Sequence, residues 1–540
     1  MSLTGFDRNR AVRSAPRHKR RIWLLIVVAL ASFADTLIAQ TGNQESVSQQ
    51  ILKLTEAMAA TQAQLEQSQR QLNEMQKQLQ ALQQQLGQNS STGVAPGAPP
   101  STPPASTAQD AVTELQSAVQ DIRDRQAMQE SQIATQEQTK IESESKYPVK
   151  ITGLLLFNSF VNTRAVDIPA TPVLALPGSG STGASVRQTV LGIDARGPYL
   201  FGARSYADLR IDFDGTTQPN ATTTTTTTTT AYSGPYSANS TFLRLRTAHA
   251  GLQWSRTEAY FSLDHPIFNP DTPTSLTAIA EPALAWSGNL WTWNPQLGLK
   301  QDIPLSSSHD LQLEAALVDV GDAPLTPISA VTATSPVTPP SGAEQSRWPG
   351  VEAHLALVGS GLNAEQGFHV GLGGYFSPHR SYMGKEFDAW AGTVDTRLLL
   401  PARLELSGSA YRGLALGGLG GGALKDFEYR ANTGTGSYYL HPLDDVGGWA
   451  QLKEKFSERV ELNGAYGIDN AFGGEVRRDS IATGTMYQNL ARNQTYTGNV
   501  IYKPTAYLLF SLEYRHLQSS PELGATAASD VIGLGAGFKF

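Results

Sequence analysis

From residue 149 to its end, the chain alternates apolar and polar side chains with a period of two. In AYLLFSLEYRH, for example, Leu508, Phe510 and Leu512 fall on one face of a strand, while Ser511 and Glu513 fall on the other. This is the period of a β-strand whose two faces meet different surroundings. Sixteen such runs follow one another, at 150–163, 185–196, 199–213, 240–253, 257–264, 288–300, 309–319, 346–358, 366–376, 386–400, 402–413, 445–456, 458–468, 483–502, 506–517 and 529–540.

The connections between these runs alternate in length. Short turns are expected at 196–198, around Arg256, Pro401 and Glu458, and at 503–505. Long connections rich in Pro, Gly, Ser and Thr are expected at 164–184, 214–239, 265–287, 320–345, 414–444 and 469–482. This segregation predicts an all-β transmembrane barrel of about 16 antiparallel strands. The alternative, a soluble β-sandwich array or β-helix, has no reason to sort its connections by length.

The last eight residues, GLGAGFKF, are expected to form the strand that closes the barrel on its first strand. Phe538 and Phe540 fall on the apolar face of this strand, and Lys539 falls on the other. A lipid-facing position is therefore predicted for both phenylalanines. A terminal aromatic residue in this register also resembles the signal by which the barrel-assembly machinery recognises outer-membrane proteins.

The N-terminus has the organisation of a secretory signal peptide, predicted over residues 1–39. A basic stretch from Arg8 to Arg21 precedes the apolar run Ile22 to Ala34, and small residues suit cleavage after Ala34 or Ala39. An apolar run of this length is short for a membrane span. An uncleaved anchor helix is the alternative. With a barrel to follow, the signal predicts export to the cell outer membrane.

Heptads predict a periplasmic α-helical coiled coil over residues 40–87. Ten of twelve seam positions between 47 and 86 are apolar. A coiled coil requires partner helices, so an oligomer is expected, although one amphipathic helix docked on its own domain is the alternative. A Pro/Ser/Gly linker over 88–110, a second helical segment over 111–145 and the barrel over 146–540 complete the predicted organisation.

Composition excludes several classes of function. The chain has no cysteine, so it has neither disulfides nor thiolate sites, and its formal net charge of -7 excludes a broadly cationic nucleic-acid binder. Gly178, Gly180 and Gly183 match GxGxxG, but in a predicted loop with no following helix to hold a phosphate. The nine histidines show no metal-ligand spacing, so neither a metal nor a cofactor is expected.

Three stretches resemble trimeric sixteen-strand porins of the phosphate-selective and DcaP-like group. They are VRQTVLGIDARGPYLFGARSYADLRIDFDG, FLRLRTAHAGLQWSRTEAYFSLDHPIFNP and LPARLELSGSAYRGLALGGLGGG. The resemblance implies a homotrimer of pores with an N-terminal coiled coil, each pore narrowed by an infolded third loop at 265–287. That loop contains Asp271 and Glu281 but neither Lys nor Arg, unlike the basic clusters of phosphate-selective members. DcaP-like members are associated with dicarboxylic acids, which no motif here specifies.

Charged residues with the parity of the inner face are densest on the second to fourth runs. An arc of arginines facing loop carboxylates would create a transverse field that orients dipolar solutes and screens ions by charge. An arginine facing lipid would cost roughly 2–4 kcal/mol at the midplane, which supports assignment by parity. In the alternative, these arginines pair with Asp194, Asp208 and Asp212 and select nothing. The residues expected to line the pore are Arg187, Arg204, Asp208, Arg210, Asp212, Arg244, Arg246, Glu513 and Arg515.

The sequence thus predicts an outer-membrane porin for passive diffusion of small hydrophilic solutes, anionic ones among them. The alternative is a structural anchor that tethers the membrane to the cell wall through its coiled coil, with peptidoglycan as a partner. A membrane-embedded hydrolase is a third hypothesis, but no Ser/His pair supports it. No enzymatic activity is expected, and outer-membrane lipid is the expected surrounding.

Overall fold

The computed structural model describes residues 149–215, 242–325, 340–359, 367–382, 384–432, 437–472 and 490–540. The predicted signal peptide, coiled coil, linker and second helical segment lie outside these ranges. Within them, no helix has the length and apolar character needed to cross a bilayer. The one described α-helix, α1 (Gly342–Ser346), is a single turn capped by Ser341, whose side chain accepts a hydrogen bond from the Glu344 amide.

The described chain forms one closed antiparallel sheet and a separate hairpin. β13 and β14 make the hairpin, and the other seventeen strand segments make the sheet. The strands are β1 (Val149–Val166), β2 (Ala175–Ser185), β3 (Val190–Leu200), β4 (Ala203–Gly215), β5 (Phe242–Gln253), β6 (Thr257–Asp264), β7 (Asn294–Pro304), β8 (His309–Val318), β9 (Gly350–Gly359), β10 (Phe368–Arg380), β11 (Glu386–Leu400), β12 (Leu404–Leu414), β13 (Phe427–Asn432), β14 (Ser437–Pro442), β15 (Asp444–Lys455), β16 (Val460–Ala471), β17 (Leu490–Tyr502), β18 (Leu508–Pro521) and β19 (Ala527–Lys539).

The barrel has sixteen strands around its wall, as predicted. β2 pairs with the second half of β1 and β3 with its first half, so β2 and β3 together count as one strand of the wall. The sheet closes where β1 pairs with β19, with Phe157 opposite Ala536. Closure leaves no free edge, which is the condition for a sheet in lipid.

All the connections of more than eight residues lie at one end of the barrel. One end, called here the turn end, carries the connections after β3, β5, β7, β9, β11, β15 and β17. The other, the loop end, carries the first loop (167–174), the third (265–293), the fourth (319–349), the fifth (381–385), the sixth (415–443) and the eighth (522–526), with the second and seventh at 216–241 and 472–489. Short turns opposite long loops are typical of outer-membrane barrels.

Three predicted boundaries were wrong. The turn expected at 196–198 lies inside β3 as a register shift, and the chain reverses at Phe201 and Gly202. The loop expected at 164–184 contains β2, whose Gly- and Ser-rich sequence lacks apolar alternation but pairs with β1. The GxGxxG match therefore lies on a strand. The third loop extends to 293 because Leu290 to Trp293 pack on the sixth loop before β7 begins.

The side chains of the closing strand alternate between the two faces of the barrel wall. Phe538 and Phe540 are about half exposed on the outer surface, whereas Gly533 and Gly535, of the opposite parity, lie against Thr277 and Leu276 of the third loop. The Phe540 amide donates to the Gly153 carbonyl at 3.0 Å, and its ring lies against the Gly153 Cα. The last residue therefore completes the pairing of β19 with β1.

Candidate functional site

The third loop folds into the barrel and follows its inner wall. Phe268 contacts β10 and β11, where Thr393 Oγ1 donates to its carbonyl at 2.7 Å. Farther round, Ser275 Oγ donates to Glu513 of β18 at 2.5 Å, and Gln188 between β2 and β3 donates to the Thr277 carbonyl at 2.9 Å. The loop therefore runs along the inner wall from β10 to β3.

Glycines on the inner face create the space for this path. A Cβ atom at Gly373 would lie 2.5 Å from Phe268 Cβ, and one at Gly467 would lie 2.1 Å from the Ser287 carbonyl oxygen. At Gly533, a Cβ would come within 3.0 Å of Thr277. At these glycines the third loop therefore packs directly against the backbone of the barrel wall.

Gly467→Val is expected to destabilise the protein by about 1–3 kcal/mol, because its side chain would overlap the loop backbone. Gly464→Val on the same strand is the matched control, since a Cβ there meets no atom within 4 Å. Thermal unfolding in detergent, followed by circular dichroism, should show a lower midpoint for Gly467→Val only. Equal midpoints for both variants would contradict the proposed packing.

Asp271 anchors the loop to β10 and β11. Its carboxylate contacts the Arg397 guanidinium and lies 3.0 Å from His369 Nε2. Burial favours a higher pKa for Asp271, but the hydrogen bonds and charges of His369 and Arg397 outweigh it and hold the pKa below its usual range. Asp395, which contacts both His369 and His354, extends the same network into the wall. Asp271 is thus a fixed anchor within the lumen.

The return of the third loop packs beneath the sixth loop. The Trp291 amide donates to the Leu419 carbonyl at 3.0 Å, and Thr292 Oγ1 donates to the Gly418 carbonyl at 2.7 Å. The fourth loop joins them, because the Leu325 amide donates to the Leu424 carbonyl at 3.1 Å. Buried apolar side chains fill the spaces between these loops and the wall, among them Leu174, Trp286, Leu290, Val320, Leu416, Leu419 and Leu443.

Between β2 and β5 the wall keeps charged side chains in contact with solvent. The side chains of Arg187, Arg210 and Arg244 are 25–33% exposed, and that of Arg246 is 15% exposed. Asp208 is 27% exposed on the same face. The structure therefore brings together most of the predicted pore-lining residues and leaves them accessible from the lumen.

These arginines are paired with aspartates, the arrangement that the alternative interpretation requires. Arg210 lies 2.5 Å from Asp194, and Arg187 lies 3.9 Å from Asp214. Both Arg244 and Arg246 contact one buried carboxylate, that of Asp212, at 2.6 and 3.5 Å. The positive and negative charges of these side chains therefore nearly cancel in total, but they lie at different positions along the wall.

Three residues that were predicted to line the pore lie outside this exposed part of the wall. Glu513 and Arg515 are on the inner face, but only 1% and 6% exposed, because the first and third loops cover them through the Pro172 carbonyl and Ser275. Parity identifies an inward side chain but cannot show whether a loop lies over it. Arg204 is exposed near the turn end, where it donates to the Tyr199 hydroxyl at 3.1 Å.

Glu281 lies where the third loop reaches β5. The preceding carbonyl, of Ala280, accepts a hydrogen bond from Arg244 Nη2 at 2.7 Å. Burial and, to a smaller extent, the nearby Asp167 of the first loop raise the pKa of Glu281 to about 8, although Arg244 acts against them. Its buried Oε2 receives no hydrogen bond from the described part of the chain. Glu281, unlike Asp271 of the same loop, is therefore mostly protonated at neutral pH.

Sequence reasoning missed several inward-facing residues. Arg397 and His369 share the anchor of Asp271, and His249 bridges Asp208 and Asp264 at 3.0 and 2.7 Å. The parity of β11 could have identified Arg397, because it shares a face with Asp395 opposite Val394. No group of three or more potential metal ligands occurs in the described ranges.

No protein family and no curated protein matches the sequence. Among solved structures, the outer membrane channel DcaP of Acinetobacter baumannii is similar with a TM-score of 0.52 at 16% identity, over 74% of this chain and 99% of that one. An anion-selective porin from Comamonas acidovorans gives a TM-score of 0.41 at 9% identity, over 73% and 100% of the two chains. OprB of Pseudomonas putida gives 0.42 at 11%, over 74% and 96%.

The fold resemblance inferred from the sequence motifs is therefore confirmed. The match with DcaP spans nearly that whole channel. The chain has the closed sixteen-stranded barrel of the outer-membrane porins.

Proposed function

We propose that the chain is an outer-membrane porin that allows small hydrophilic solutes to diffuse passively through a water-filled lumen. The observation that carries the proposal is the third loop, which narrows the barrel while charged residues of β4 and β5 stay exposed. Such a wall stabilises water and hydrated solutes. The proposal includes a homotrimer, for which the predicted coiled coil and the porin fold are the support.

An anion preference is the second part of the proposal. Arg244 and Arg246 share the single carboxylate of Asp212, so positive charge is in excess where the third loop meets β5. Asp194 and Asp208 share Arg210 lower on the wall, so negative charge is in excess there. A solute passing the wall would meet these two regions in turn. The pair near the loop controls admission of anions.

Single-channel conductance in a planar bilayer tests the proposal. Folded protein is expected to insert in groups of three conductance steps, with a reversal potential under a salt gradient that shows anion preference. A reversal potential that shows cation preference would contradict the anion preference but not the channel function. Folded barrels without conductance would contradict the porin function.

The structural anchor is the second candidate function, which requires the N-terminal region outside the described residues. Co-sedimentation with purified peptidoglycan, compared between the full chain and a variant without residues 40–110, measures it directly. Binding lost with that segment would support a tether. Such binding is compatible with conductance through the same barrel.

A further inference from the structure

A β-bulge in β5 lies at Arg246. Ile211 pairs with Leu245 and Arg210 pairs with Thr247, so Arg246 is an extra residue without an opposite partner on β4. Arg244 and Arg246 both reach Asp212 on the inner face. The bulge then shifts the inward positions of β5 from even to odd numbers, so that His249 faces Asp208.

The two guanidinium groups are unequally neutralised. Arg244 donates to both oxygens of Asp212, at 3.0 and 2.6 Å, and also to the Ala280 carbonyl. Arg246 makes a single hydrogen bond to the described part of the chain, the 3.5 Å contact with Asp212. Asp212 is fully buried, whereas Arg246 is 15% exposed. Arg246 therefore keeps a positive charge and free N–H donors.

Trp293 holds both guanidinium groups in place. The centre of its ring lies 5.1 Å from Arg244 Cζ and 5.0 Å from Arg246 Cζ. The ring of Trp291 meets it edge-on at 5.3 Å, and that residue is tied to the sixth loop. Because an indole carries no net charge, it fixes the two cations side by side without cancelling the charge of Arg246.

We infer that Arg246 is the selectivity-determining residue of the lumen, that it takes an oxyanion group of a passing solute, and that Trp293 is its positioning residue. A planar guanidinium with free donors matches a carboxylate or a phosphate through two parallel hydrogen bonds. The inference rests on the proposed channel function and adds the residue and the chemistry that give it a preference.

The test compares reversal potentials of the full chain and its variants under a salt gradient. Arg246→Gln should reduce the anion-to-cation permeability ratio several-fold with little change in conductance. Arg256→Gln, which removes the same charge from an exposed turn, is the matched control and should behave as wild type. Wild-type reversal potentials in conducting Arg246→Gln pores would overturn the inference. An absence of conductance from the wild-type protein would instead overturn the channel function.

Trp293 variants separate positioning from packing. Trp293→Leu should lower the permeability ratio in the same direction as Arg246→Gln, and Trp293→Phe should restore most of it, because phenylalanine retains an aromatic face. Equal ratios in both variants would overturn the positioning role.

Acetate and inorganic phosphate replace chloride in a second set of measurements. A loss in Arg246→Gln that is largest for acetate assigns a carboxylate, one largest for phosphate assigns a phosphate, and an equal loss for all three anions overturns oxyanion recognition.

Discussion

Replacing both Asp445 and Asp469 with alanine is expected to release the sixth loop and raise single-channel conductance roughly two-fold, because this loop fills part of the lumen. The two carboxylates lie on β15 and β16 and are fully buried. Asp445 Oδ2 accepts from the Gly422 amide and Asp469 Oδ2 accepts from the Ala423 amide, both at 2.7 Å. These two bonds hold the sixth loop against the wall.

The backbone at this point is strained. Gly422, Ala423 and Leu424 have φ angles of 61°, 48° and 72°, in the left-handed region that suits glycine. Each non-glycine residue there costs about 1–3 kcal/mol. Asp445 and Asp469 also hydrogen-bond to each other, so at most one of the two buried carboxyl groups is ionised. A hydrogen bond to a charged group contributes about 1.5–3 kcal/mol and one to a neutral group about 0.5–1.5 kcal/mol. The two carboxylates therefore offset a strain of similar size, and the loop should not keep this conformation without them.

The double variant Asp445→Asn with Asp469→Asn is the matched control. Asparagine keeps an acceptor oxygen for each amide but carries no charge, so conductance should stay near that of wild type. Circular dichroism and migration on an unheated gel establish that each barrel is folded. Folded alanine variants with wild-type conductance would show that other contacts, such as those of Asp426 with the Gly418 and Ala323 amides, suffice to hold the loop.

Most of the barrel could be predicted because strand periodicity depends on local sequence. Each of the sixteen predicted runs overlaps one strand of the barrel, since the lipid face requires apolar side chains at alternate positions. β2 escaped prediction because its contacts with β1 use Gly, Ser and Thr. Asn162, for example, donates to Ser181 Oγ at 2.9 Å. A strand that pairs through such residues leaves no hydrophobic alternation to detect.

The interior could be predicted less well because loops determine it. Parity correctly placed Glu513 and Arg515 on the inner face, yet the path of the third loop decides that they are buried. The inward fold of the sixth loop depends on tight approaches, such as that of Gly418 to the Gly321 carbonyl. Such approaches are properties of tertiary structure. A cluster of glycines in a long loop is the one sequence signal that points to them.

Raising the pH through about 8 is expected to weaken the anion preference, because Glu281 then ionises beside Arg244. Its raised pKa means that the folded protein holds this proton more tightly than the unfolded chain. The contribution to stability is therefore present below the ordinary value of 4.5 and is lost as the pH rises through about 8. The new negative charge would oppose the positive charge of Arg244 and Arg246. Reversal potentials measured from pH 6 to pH 9 should show one step toward cations.

Two variants identify the group responsible for this step. Glu281→Gln should abolish it, because glutamine has a similar shape but does not titrate. Asp167→Asn should move it to lower pH, because the pKa of Asp167 is about 6 and its ionised carboxylate raises the pKa of Glu281. Asparagine can still accept the hydrogen bonds from the Val173 and Leu174 amides, so the first loop should keep its structure. A step that persists in Glu281→Gln would assign the titration to another group, such as His249 or His265, and would remove Glu281 from control of selectivity.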